Sequence, residues 1–142
     1  MVKGPSATLT KVTVAEDTHT DQGAPSATNG TSTSLAVRGN PAYETYLRFN
    51  LSAAPAGQAL KAAALQVKTS TQTGVGTADT VSPVPVTGTW SSAGTTFTTK
   101  PTLGTTPLGT FATIPDGSAV HSAQLAPPPH SPRRWAPATA WP

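Results

Sequence analysis

Cysteine is absent from the 142 residues, which excludes a disulfide framework, a thiolate metal site and a cysteine nucleophile. Charge is scarce as well, at 11% of residues. Nine Lys and Arg against six Asp and Glu give a net +3, but Arg133 and Arg134 supply two of those positives and leave seven against six without them. A nucleic-acid partner, which calls for a clustered basic stripe interleaved with aromatics, is not expected. No apolar run is long enough to span a membrane, and Met1-Val2-Lys3-Gly4-Pro5 lacks the continuous apolar core of a signal peptide. Catalytic signatures are missing too: His19, His121 and His130 are isolated, and there is no His-Glu-Xaa-Xaa-His helix, no Gly-Xaa-Ser-Xaa-Gly elbow and no Gly-rich phosphate loop. Glu16 and Glu44 with the four aspartates could supply a glycosidase pair only at a fixed separation, so an enzyme is not expected.

What is present points to extended chain. Thr is the commonest residue, and β-branched side chains favour strands over helices. The most informative stretch is Tyr43 to Leu51, which alternates without a break. Tyr43, Thr45, Leu47, Phe49 and Leu51 share one side; Glu44, Tyr46, Arg48 and Asn50 share the other. This predicts a half-buried antiparallel strand with Leu47, Phe49 and Leu51 in the core and Tyr46 and Arg48 facing outward.

Around it the chain reads as further strands and turns. Ala7–Val14 is a predicted first strand, Asp21–Ser34 a long polar loop, and Leu35–Arg38 a short strand joined to the central one by the turn Gly39-Asn40-Pro41-Ala42. Ala53–Gln58 turns the chain again. In Leu60–Lys68 three alanines favour helix, whereas Lys61, Ala63, Leu65 and Val67 fall on one side at period two, and the prediction is strand. Thr80–Thr87 is a predicted edge strand, since Pro83 and Pro85 cannot donate to a ladder, and Leu108–Ile114 is the last predicted strand. Six of the fifteen prolines and two of the three tryptophans lie in Ala126–Pro142. The expected organisation is one domain over residues 1–120 and a proline-rich tail over 121–142, disordered or out of frame.

Tyr46-Leu47-Arg48-Phe49-Asn50-Leu51-Ser52, followed by Pro55-Ala56-Gly57, resembles the signature of DNRLRE domains, classed as carbohydrate-binding module family 96. Ala15-Glu16-Asp17-Thr18, the loop from Gly23-Ala24-Pro25 through Asn29-Gly30 to Leu35-Ala36-Val37, and Trp90 with Thr95-Thr96-Phe97 and Lys100-Pro101 extend the resemblance over roughly Val12 to Ile114. Asn50 stands where the family usually has Asp, Phe97 stands where it often has Trp, and after about His121 the pattern is no longer followed. The resemblance implies an all-β, antiparallel jelly-roll sandwich, here incomplete at its C-terminal end. It also implies a non-catalytic module of a larger, multidomain secreted protein, extracellular, adhering to a polysaccharide and in some cases holding calcium. The alternative is a structural spacer or adhesion domain with no glycan site.

Candidate ligand residues follow from the predicted outward face. Tyr46 offers a ring to the apolar side of a sugar, Arg48 a planar fork to hydroxyls or a carboxylate, and Arg38 and Lys68 enlarge a positive surface. An ordinary solvated strand face is the competing explanation for all four. Asp17 and Asp21 are the candidate calcium ligands, with turn formation as their competing role, and Trp90 is expected to anchor a core or rim.

Overall fold

The computed structural model describes residues 9–51 and 60–126. It is all-β, with four strands and no helix among the described residues: β1 (Val14–Asp21), β2 (Tyr43–Phe49), β3 (Ala63–Lys68) and β4 (Val120–Leu125). They form two antiparallel two-stranded sheets, β1-β2 and β3-β4. The predicted turn Ala53–Gln58 and the proline-rich stretch beyond Ala126 lie outside the described residues.

The period-two readings of β2 and β3 both give strands. In β3 the half-buried Ala63, Leu65 and Val67 alternate with the exposed Ala64, Gln66 and Lys68, so pairing outweighs the helical propensity of the alanines. Its partner β4 was not anticipated. Leu65 stands opposite Ala123, which is fully buried, and the strand runs across the expected domain boundary at residue 120. The first strand is also displaced: residues 9–13 are not strand, and β1 begins at Val14. Alternation did not reveal β1 because neither side of it is apolar; Thr18 and Thr20 are its fully buried residues. A β-bulge between Val14 and Glu16 leaves Ala15 unopposed.

Leu35–Arg38 contributes only a bridge, Arg38 with Tyr43, across the turn that precedes β2. Thr80–Thr87 and Leu108–Ile114 likewise do not form continuous strands. Val81 bridges Phe111, Val86 bridges Leu103, and Thr77 bridges Ile114. Pro83 and Pro85 have no N–H to donate, yet their carbonyls accept from Leu108 N at 2.8 Å and Gly104 N at 2.7 Å. Pairing is therefore one-sided and the ladder is broken into single bridges.

The largest departure concerns the two faces of β2. Directly opposed residues share a face, so Glu16, Thr18 and Thr20 of β1 lie with Arg48, Tyr46 and Glu44 of β2. This is the covered face: Tyr46 is 2% exposed, while Leu47, Phe49 and Leu51 are only half-buried. The cover is the segment from Thr89 to Lys100, in which Thr95 and Thr96 are buried. The loop after β1 braces this segment from behind. Thr98 N–H donates to the Pro25 carbonyl at 3.0 Å, and a Cβ on Gly30 would lie 2.1 Å from the Ser92 carbonyl oxygen. Only glycine permits that approach.

Candidate functional site

The covering segment is tied to the sheet by two acid-centred anchors. At one, the Glu16 carboxylate accepts from the Ser92 backbone N–H and from Arg48 Nη1, and Arg48 Nη2 donates to the Trp90 carbonyl at 2.9 Å. The guanidinium also lies over the Trp90 ring, 4.7 Å from its centroid. At the other, Lys100 Nζ donates to Glu44 Oε1 at 2.7 Å and sits over the Phe97 ring at 4.2 Å. Tyr46 lies between them: its hydroxyl donates to Glu44 Oε2 at 2.6 Å, and its ring tilts against Trp90 with centroids 5.8 Å apart.

Outside this packing, Thr89, Trp90, Ser91, Gly94, Thr95 and Thr99 line a shallow open pocket of about 390 Å³. One half-buried indole surrounded by small hydroxyl-bearing residues combines an apolar surface with short polar groups. Trp90 thus serves as the expected anchor, against Tyr46 and Arg48, and also lines a depression.

The residues named from sequence do not converge. Arg48 is exposed, as expected, but its terminal nitrogens are engaged with Glu16 and Trp90. Tyr46 is a correction: it is a core residue, because the covering segment crosses its side of the sheet, and its ring is not offered to solvent. Arg38 is exposed at the far end of β2, where it stacks on Tyr43. Lys68 is exposed on β3, in the other sheet, and so is not on a strand neighbouring β2. Asp17 and Asp21 both belong to β1, four residues or about 13 Å apart along an extended strand. Asp21 Oδ1 accepts the Gly23 N–H at 2.7 Å, the turn role weighed against chelation. Calcium takes six to eight oxygens in one shell, and no group of three or more His, Asp or Glu gathers among the described residues. The pair does not fit a shared calcium ion.

These anchors bias protonation. The Ser92 N–H and then Arg48 hold Glu16 below its ordinary value of 4.5, against an opposing contribution from desolvation. For Glu44 desolvation is the largest influence and pushes upward, but the bonds from Lys100 and Tyr46 outweigh it and the net shift is downward. Burial, reinforced by the Glu44 carboxylate, raises Tyr46 above its ordinary 10.0. A carboxylate lowered in the folded state contributes stability above its unfolded value and loses it as pH falls through the folded one. A raised phenol contributes below pH 10.0 and loses it at higher pH. Thermal melts across pH are therefore expected to fall off below about 4.5 and again above about 10. Glu16→Gln should flatten the acid limb and Tyr46→Phe the alkaline limb.

Residues 8–120 match the family described as Carbohydrate-binding module family 96. The chain belongs to that family. No curated protein and no solved structure matches it significantly. The assignment covers β1, β2, β3, the covering segment and the Trp90 pocket, and such families are typically non-catalytic. As a carbohydrate-binding module its chemistry is reversible contact with sugar, for which the pocket and the exposed cations are the surfaces available. No helix among the described residues is long and apolar enough to cross a membrane.

Proposed function

We propose that this chain is a non-catalytic module of a larger secreted protein that adheres to an extracellular polysaccharide, with acidic chains favoured over neutral ones, and so holds a linked enzyme or surface protein on its polymer. The observation that carries the reading is the Trp90 pocket. A shallow, open surface with one indole and the hydroxyls of Thr89, Ser91, Thr95 and Thr99 suits a sugar ring, whose apolar face covers the indole while its own hydroxyls exchange hydrogen bonds at the rim. The fold proposed for the whole is a jelly-roll sandwich in which the two described sheets are opposed layers. Each sugar contact is weak, so affinity for one site is modest and retention on a polymer comes from linked binding events.

Affinity electrophoresis against alginate, pectin, xylan and a soluble cellulose derivative tests this. Retardation is expected to be strongest in the two acidic polymers and to weaken as salt rises, because part of the attraction is between charges. No retardation in any of the four would favour the spacer reading. That second reading has an observation of its own: Tyr46 is buried and both Arg48 terminal nitrogens are spent on internal partners, so two of the four residues first put forward for sugar contact hold the fold together.

A further inference from the structure

The donors of the described cations differ in what is left over for a ligand. Arg48 spends Nη1 on Glu16 and Nη2 on the Trp90 carbonyl. Lys100 is held by Glu44 against Phe97. Lys61 and Lys68 are exposed, and an ammonium on a flexible stem loses considerable freedom on binding. Arg38 combines fixation with unused donors. Its Nε donates to the Pro41 carbonyl at 3.1 Å, and its guanidinium lies 4.4 Å over the Tyr43 ring. Nη1 and Nη2 have no partner among the described residues, and no carboxylate there forms a salt bridge with it.

The surroundings fix that geometry. Arg38 and Tyr43 are directly opposed across the turn, with N–H to carbonyl distances of 3.1 and 2.9 Å in the two directions, so their side chains emerge on one side. The Tyr43 ring is itself flanked by the His19 ring, at 6.2 Å between centroids. With one edge bonded to Pro41 and one face on Tyr43, the guanidinium has its Nη1/Nη2 end available as a two-pronged donor, the arrangement that matches two oxygens of a carboxylate or a sulfate ester. Little further order is lost when a ligand arrives. Asp21 opposes Tyr43 on the same face and keeps one carboxylate oxygen on the Gly23 N–H. It is the acid that faces this site, and it weakens anion binding there without closing the fork.

We propose that Arg38, held by Pro41 and Tyr43, is an oxyanion subsite that takes the carboxylate of a uronate unit or the sulfate half-ester of a sulfated sugar. It stands apart from the Trp90 pocket, at the opposite end of β2. The inference rests on the glycan-adhesion reading for its biological ligand and is testable without it.

The test is an NMR titration of the Arg38 Nε–Hε resonance in the full chain, with sodium glucuronate, glucose 6-sulfate, glucose, and sodium chloride at matched ionic strength. Both anionic sugars should shift the resonance saturably, while glucose and chloride should not. Arg38→Lys should weaken the interaction at least about five-fold, because the ammonium lacks the fork, and in Arg38→Gln the accompanying Tyr43 shifts should vanish with the melting temperature unchanged. Asp21→Asn keeps an acceptor for Gly23 while removing the opposing charge, and should tighten binding a few-fold. Equal shifts with glucose or chloride, or Tyr43 shifts that survive Arg38→Gln, would overturn the proposal. Affinity electrophoresis of the same variants in alginate and in a sulfated galactan separates the two sources and the two readings. Retardation equal in wild type and Arg38→Gln leaves adhesion standing and removes the Arg38 subsite. Saturable shifts with the anionic sugars but no retardation in any polymer leave the subsite standing and remove adhesion.

Discussion

Tyr46→Ala is expected to cost about 3–5 kcal/mol, the range for removing a large buried aromatic side chain, and so to leave a domain of ordinary stability close to unfolding at ambient temperature. Among the described residues Tyr46 is the most buried aromatic ring, at 2% exposure, and it sits between both anchors of the covering segment. Truncation would remove the surface on which Trp90 tilts and take one of two bonds from the Glu44 carboxylate, leaving only Lys100. Tyr46→Phe keeps the ring and loses only the hydroxyl bond, so its cost should be nearer 1–2 kcal/mol. Chemical denaturation of the two variants checks this. Equal, small losses would show that the ring is not a core element.

Arg48 carries the second large effect, and its sign on stability decides between two roles. Arg48→Ala removes the ion pair with Glu16, the bond to the Trp90 carbonyl and the cation over the Trp90 ring together. The side chain is half exposed, so solvent discounts the ion pair, and the sum is expected near 1–2 kcal/mol. Glu16→Ala should cost at least as much, because it also leaves the Ser92 N–H without its acceptor. A double-mutant cycle between the two positions is expected to show a coupling of about 1 kcal/mol, and hydrogen exchange at the Ser92 amide should speed up in Glu16→Ala. A melting temperature unchanged in Arg48→Ala, with glycan affinity lost, would instead make Arg48 a ligand residue.

These expectations reverse the first view of β2, and the reason lies in how far a local pattern reaches. Alternation across Tyr43–Leu51 fixes that the segment is extended and which side chains travel together, since successive Cβ atoms point to opposite faces whatever surrounds them. The same logic places Ala63, Leu65 and Val67 on one side of β3, where the structure has them. The spaced motifs from Ala15 to Pro101 carry the family, because each is short but their order is specific. Alternation does not say which face is covered. The apolar side of β2 looked like the core by composition, yet the polar side is the covered one. Each polar group there has a partner that arrives from far along the chain: Glu16 for Arg48 and Lys100 for Glu44, with Trp90 stacking on both Tyr46 and Arg48. Burial of polar groups is tolerable once their hydrogen bonds are satisfied.

β1 and β4 escaped for related reasons. β1 has no apolar side to give it away, and β4 is a short strand next to a composition break, recognisable only once β3 stands beside it. Thus the sequence by itself determined the all-β class, the extended state of β2 and β3 and the family, all of which follow from local stereochemistry and motif order. Only the tertiary structure decided that Tyr46 is core, that Arg48 is spent on Glu16 and Trp90, and that Arg38 keeps a free fork, because those depend on contacts between residues that lie as far as 76 positions apart in the chain.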